Sequence, residues 1–245
     1  MDRPGGQHRG ELHARVRRRL RFRVARAAAG AVVINSQAGD RYWAANVPGL
    51  RRVIIPNAVP VEAIDASAPM ERPPEVRIGL FAGRFVAMKN VDVLLRACAP
   101  LMAERPLVLY LCGVGPERAR LAWPYLRAAD FVALLSDFEG RPNIVTEAFA
   151  ARAPVILSDI AAQRELVDGG AAALVPLRDV AATTRVIRDV LDDPDAASHR
   201  VGRAHRLVAR WSVTSVAAAF EEVYASVVEQ KRARTLRWSS ITCGR

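Results

Sequence analysis

The chain has 245 residues, of which 51% are apolar, enough for one large or two small packed domains. Its net charge of +11 makes an anionic partner or ligand the first class to consider. Three cysteines without CxxC or Cys/His spacing argue against a disulfide framework and a zinc module, and no run nears the roughly 20 apolar residues of a membrane span.

Taken in chain order, the first element is basic. Leu12, Val16, Leu20 and Val24 recur every fourth residue among Arg15, Arg17, Arg18, Arg19, Arg21, Arg23 and Arg26. This spacing predicts an amphipathic helix within residues 1–30. Such a helix either packs its stripe on the protein or lies on an anionic membrane surface through residues 9–26. No nucleic acid is expected, because aromatic residues do not interleave with the arginines. His8, His13, His199 and His205 are scattered, so no metal is expected. No signal-peptide pattern opens the chain, which sets the expected location as cytoplasmic, peripheral on the membrane face if the helix binds there.

Short strands are expected at 31–35 and 53–55. Residues 58–75 are rich in proline and acids and read as a linker. A regular alternation follows. Strands are expected at 76–82, 107–111, 131–135, 154–157 and 172–175, with a helix on the stripe Val91, Leu94, Leu95, Cys98 and Leu101 after the first of them. Further helices are expected after the second strand, between the third and fourth, and near 180–192, 196–210 and 213–232. The pattern predicts an α/β fold with a doubly wound parallel sheet. The expected units are 1–60, a linker at 61–75, a Rossmann-like domain at 76–232, and a frayed tail at 233–245.

Three loops at the carboxyl ends of these strands carry the chemistry. Gly83-Arg84-Phe-Val-Ala-Met-Lys89-Asn90 places a glycine at the strand exit, two cations in a short loop, and an asparagine able to cap the next helix. Arg84 and Lys89 suit a diphosphate, although the spacing alone fits two solvated cations somewhat better. Gly113-Val-Gly115-Pro116 allows close backbone approach, but the full GxGxxG fingerprint of a dinucleotide oxidoreductase is absent. Glu139-Gly140-Arg141-Pro142-Asn143-Ile144-Val-Thr-Glu147 sets two carboxylates about a strand-to-helix corner, with Pro142 suited to the first helical turn. Acids beside a helix start suggest a ligand rich in hydroxyls and phosphates.

Together, "INS" at 34–36, "IPNAV" at 55–59, "GRFVAMKN" at 83–90, "CGVGPER" at 112–118, "PYLRAADFVALLSDFEGRPNIVTEAFA" at 124–150, "PVILSD" at 154–159 and "ELVDGGAAALVP" at 165–176 resemble the nucleotide-sugar-binding half of a family 4 (group 1) glycosyltransferase of the GT-B fold. The resemblance runs from about residue 31 to residue 230. It implies a retaining, metal-independent transfer from a nucleotide sugar to a glycan or lipid-linked acceptor, with no cofactor. Arg84 and Lys89 would bind the diphosphate, Glu147 the ribose hydroxyls, and Glu139 the transferred sugar. Gly140, Arg141, Pro142, Asn143 and Ile144 would close around sugar and phosphate, with Gly83, Gly113 and Gly115 admitting the backbone.

The sequence departs from that pattern in three places. Only the closing segment of an acceptor domain is seen, so the chain is expected to be truncated. Its alternative is a non-catalytic donor-domain fragment or membrane-associated binding module, acting in an oligomer or with a complementing acceptor-domain chain. Leu121-Ala-Trp-Pro124 replaces a helix, a strand and a loop. Ala58, Ala153, Ala161 and Ala162 stand where glycines are expected, which predicts altered loops because alanine reaches positive φ only at a cost.

Overall fold

In a computed structural model of the chain, the backbone is described for residues 5–113, 118–167 and 170–242, and side chains for 16–113, 122–167 and 170–233. The chain divides into two compact units, one formed by residues 1–56 with 217–245 and the other by 57–216.

The first unit holds α1 (Gly5–Ala28), β1 (Val32–Ile34), α2 (Gln37–Asn46), β2 (Arg52–Ile54) and, from Ala217 onward, α10 (Val213–Thr242). β1 and β2 pair in parallel, Val33 opposite Val53. α2 was not anticipated from sequence; Ser36 caps it by accepting a hydrogen bond from the Gly39 N–H at 3.2 Å. The expected helix forms, but with a different packed face. Phe22 sits 5.7 Å from the Tyr42 ring and 5.4 Å from Trp43, and Ala25 is buried. Val16, Leu20 and Val24 are 56%, 60% and 56% exposed, so the fourfold stripe does not pack on the protein. Aromatic contact area on α2 outweighs what three aliphatic side chains would contribute. The backbone is helical through Thr242, where a frayed tail was expected.

The second unit is a five-stranded parallel sheet, ordered β4-β3-β5-β6-β7. Its strands are β3 (Arg77–Ala82), β4 (Leu107–Cys112), β5 (Phe131–Leu134), β6 (Val155–Ser158) and β7 (Ala173–Val175). Helices α4 (Val91–Glu104), α5 (Arg118–Ala128), α6 (Asn143–Ala150), α7 (Ala161–Leu166), α8 (Val180–Asp192) and α9 (Pro194–Val208) join or follow them. Nearly every residue of β3, β5 and β6 is buried, as expected of strands covered on both faces. α4 packs Val93, Leu94, Ala97, Cys98 and Leu101, while Leu95, expected in the stripe, is 48% exposed. Asp179 and Asp193 cap α8 and α9 by accepting from N–H groups at 2.8 and 2.9 Å.

The segment read as a linker is tied down. It opens with α3 (Val61–Asp65), whose Ile64 is fully buried. Arg72 pairs with Asp130 at 2.6 Å, and Asp130 also accepts from the Ile78 N–H at 2.7 Å. The first and last stretches of this unit meet in a β-bridge between Val59 and Ser212, where the Val59 N–H donates to the Trp211 carbonyl at 2.8 Å.

The strand order reverses direction at the first strand of this sheet. β4 lies on one side of β3, and β5, with all later strands, lies on the other. At such a switch point the loops leaving the two central strands diverge and open a crevice at their carboxyl ends. Here those loops are residues 83–90 and 135–142.

Candidate functional site

The two loops bring Lys89 and Glu139 together. The Lys89 ammonium donates to Glu139 Oε1, and their side chains are only 12% and 10% exposed. Ser136 Oγ donates to the same oxygen at 2.6 Å. A cation and a carboxylate held this close, at the mouth of a parallel sheet, offer an anion contact and a hydroxyl acceptor side by side.

Asn90 departs from its expected part. It takes a left-handed conformation, φ 49°, and makes no side-chain cap on α4. Its amide instead donates to the Leu135 carbonyl at 2.8 Å and to Asp137 Oδ1 at 2.7 Å, binding the two loops together. Arg178 grips both oxygens of Asp137, at 3.0 and 2.5 Å. These bonds hold the Asp137 carboxyl below the ordinary aspartate value, Arg178 contributing most and Asn90 next.

Arg84 is exposed and makes no side-chain hydrogen bond or ion pair among the described residues. Glu147 lies one helical turn inside α6 and is only 9% exposed. Pro142 is the N-cap of α6, φ −71° and ψ 120°, one residue before the first turn that its ring was expected to occupy. This end has no side-chain cap, and the Val145 N–H donates to the Pro142 carbonyl at 3.2 Å, which leaves the N–H groups of Asn143 and Ile144 as candidate anion donors. Arg141 stacks its guanidinium 3.9 Å from the Trp211 ring centroid. Burial pushes the Arg141 guanidinium below its usual range, against the opposing pull of Glu165. Asn57 Nδ2 donates to Asn143 Oδ1 at 2.6 Å and to the Arg141 carbonyl at 3.4 Å, steadying the corner.

The glycines work by space rather than by φ. Gly83 and Gly113 have no positive φ. A Cβ would stand 3.1 Å from the Phe81 ring at Gly83 and 3.2 Å from Phe85 at Gly113. Gly140 has open space around it, and Gly115 lies outside the described residues. None of Ala58, Ala153, Ala161 and Ala162 takes positive φ; among the described non-glycine residues that conformation falls on Asn90, Arg152 and Arg178.

Asn57, Ser136, Asp137, Arg178 and Trp211 were not anticipated from sequence. Asn57, Ser136 and Asp137 stand inside recognised strings, but a string does not say which side chains touch. Among the described residues, no three His, Cys, Asp or Glu side chains gather as metal ligands, and no helix is long and apolar enough to cross a membrane. A cavity of ≈ 320 Å³ lined by Arg77, Asp130, Arg152 and Ser198 lies at the amino ends of the strands, away from this site.

The fold and the sequence have counterparts among known proteins. Residues 121–193 match the family described as "Glycosyl transferases group 1". The D-inositol 3-phosphate glycosyltransferase of Streptomyces avermitilis is 33% identical over 207 residues, 69% of this chain and 44% of that protein. This chain belongs to the group 1 glycosyltransferases. The phosphatidyl-myo-inositol mannosyltransferase of Mycolicibacterium smegmatis is 32% identical over 213 residues, 76% of this chain and 55% of that protein. Among solved structures, sucrose-phosphate synthase from Thermosynechococcus elongatus superposes with a TM-score of 0.73 at 21% identity, covering 88% of this chain and 62% of that one. HepE of Anabaena in complex with UDP superposes with a TM-score of 0.68 at 16% identity, covering 85% of this chain and 67% of that one. These likenesses establish the GT-B fold. The chain spans about half the length of the curated relatives it matches.

Proposed function

We propose that this chain binds a nucleotide sugar and acts in a retaining, metal-independent glycosyl transfer to a glycan or lipid-linked acceptor. One observation carries the reading: Lys89 and Glu139 meet at the carboxyl ends of β3 and β5, where the sheet changes direction. Lys89 turns to the diphosphate when donor enters, with Arg84 as the second cation. Glu139 accepts from hydroxyls of the transferred sugar, and Glu147 from the ribose. The first-turn N–H groups of α6 lie against phosphate and sugar. The bond from the sugar's anomeric carbon to the diphosphate oxygen breaks, and its electron pair leaves with the diphosphate. The acceptor hydroxyl attacks from the same face and passes its proton to a departing phosphate oxygen. Positioning and charge stabilisation then lower the barrier without a protein nucleophile. Support comes from family membership and from fold neighbours solved with UDP and UDP-glucose.

Calorimetry with UDP, GDP and ADP, and with UDP-glucose, GDP-mannose and ADP-glucose, tests the reading. Binding of one pair, weakened about tenfold or more in Lys89→Ala and Arg84→Ala, is expected, since each charge-assisted bond is worth about 1.5–3 kcal/mol. No binding by the wild-type chain, or binding indifferent to both substitutions, would remove the donor site from this protein.

Two further assignments accompany it. The acceptor side is supplied by residues outside this unit; co-purification of a second subunit that restores turnover would place them on another chain. The exposed Val16, Leu20 and Val24 among the arginines of α1 suit an anionic membrane surface on the cytoplasmic side. Vesicles containing phosphatidylglycerol should then sediment the protein while phosphatidylcholine vesicles do not, and Leu20→Asp with Val24→Asp should abolish the difference.

A further inference from the structure

Behind Glu139 runs a buried polar chain that has no part in the donor contacts proposed above. Ser136, Ser158 and Gln163 are each at most 1% exposed. They come from three elements: the residues after β5, the end of β6, and α7. Ser136 Oγ donates to Glu139 Oε1 at 2.6 Å. Ser158 Oγ lies 2.5 Å from the Ser136 carbonyl and 2.7 Å from Gln163 Oε1, so its single proton serves one acceptor at a time. Gln163 Nε2 donates to the Leu134 carbonyl at 3.2 Å.

Three polar side chains among Leu134, Leu135 and Leu157 are costly to bury unless each is bonded, and aliphatic residues would fill the same space more cheaply. The chain reaches the site at one point, the Glu139 carboxylate. Lys89 and Ser136 share one oxygen of that carboxylate. A diphosphate draws Lys89 away and adds negative charge nearby, which repels Glu139. Ser136 is then the donor that remains.

We propose that Ser136, braced by Ser158 and Gln163, is a positioning residue that keeps Glu139 aimed at the transferred sugar when Lys89 moves to the diphosphate. The proposal rests on the donor-site reading, and it concerns the sugar alone. Loss of Ser136 should therefore separate two affinities that a merely structural role would move together.

The test measures dissociation constants of UDP and UDP-glucose by calorimetry, with GDP and GDP-mannose or ADP and ADP-glucose if the wild type prefers them. Ser136→Ala is expected to weaken the sugar nucleotide about tenfold and to leave the nucleotide within about twofold, the size of one bond to a charged group. Ser158→Ala acts one bond further back and should show the same selectivity at about threefold. Ser136→Thr keeps the hydroxyl and should restore most of the affinity. Equal losses for both ligands, no loss, or failure of threonine to restore binding at an unchanged melting temperature would overturn the proposal. A wild-type chain that binds none of the six ligands overturns the donor-site reading and this inference with it. Wild-type binding with an unchanged ratio in Ser136→Ala and Ser158→Ala overturns this inference alone.

Discussion

Replacing Lys89 with methionine tests whether the site's ion pair is a buried interaction or a screened surface contact. The side chains of Lys89 and Glu139 are 12% and 10% exposed, so both charges have lost most of their water. An exposed pair is worth about 0.2–1 kcal/mol. Removing one partner of a buried pair costs about 3–5 kcal/mol, because the other charge is left uncompensated. Ser136 still donates to Glu139, which softens the loss, so Lys89→Met should cost about 2–3 kcal/mol. Glu139→Gln strands the ammonium and should cost about 2 kcal/mol, whereas the double variant should sit within about 1 kcal/mol of wild type. The coupling is then about 3–5 kcal/mol, well above the scatter of independent sites. Urea unfolding measures it: with a slope of about 1–3 kcal/mol/M, each single variant shifts the midpoint down by about 1–3 M and the double by no more than half as much. Coupling below about 0.5 kcal/mol would refute the burial reasoning. On the donor-site reading a diphosphate would compete with Glu139 for one ammonium, which sets a sign for binding. Glu139→Gln should therefore tighten UDP and weaken UDP-glucose.

Arg152 holds the C′ position of α6 at φ 62°, with the Ala153 N–H donating to the Ala148 carbonyl at 3.0 Å and its own N–H to Phe149 at 3.3 Å. Glycine favours that geometry, and the contacts of Arg152 to Asp65 and His205 are exposed, so Arg152→Gly should stabilise by about 0.5–1 kcal/mol in thermal melts. Gly79 faces Phe131 across the sheet, and a Cβ would stand 2.3 Å from its Cζ. Gly79→Ala should then cost about 1–3 kcal/mol or more in urea, because Phe131 is fully buried and cannot retreat. Asp137 has its folded carboxyl below the ordinary 3.8, so its contribution is complete above that value and drains as pH falls toward the folded one. Asp137→Asn should lower the melting temperature at pH 7, by an amount that shrinks as pH falls below 3.8.

The strands of the second unit were legible because they are continuous apolar runs between turn residues, and runs buried on both faces carry that signature without tertiary information. Helices α2, α3 and α7 were not. They are short, with mixed composition, and tertiary contacts outweigh their weak local preference. The stripe of α1 was legible as a pattern, but periodicity cannot say which of two apolar faces finds a neighbour. Phe22 and Ala25 settled that through Tyr42 and Trp43. The loop cations and carboxylates could be named from their strings. Their pairing could not, because residues 50 positions apart meet only through the order of the strands. Asn90 looked like a helix cap for the same reason: its partners, Leu135 and Asp137, belong to another loop.

The bridge between Val59 and Ser212 closes the second unit on itself, so residues 57–216 leave and rejoin the rest of the chain at neighbouring points. A segment whose ends meet loses little loop-closure entropy when it is carried inside another sequence, or when its ends are joined and opened elsewhere. The second unit thus has the ends of a cassette. On the donor-site reading proposed above, specificity for the nucleotide sugar should move with one continuous stretch of gene.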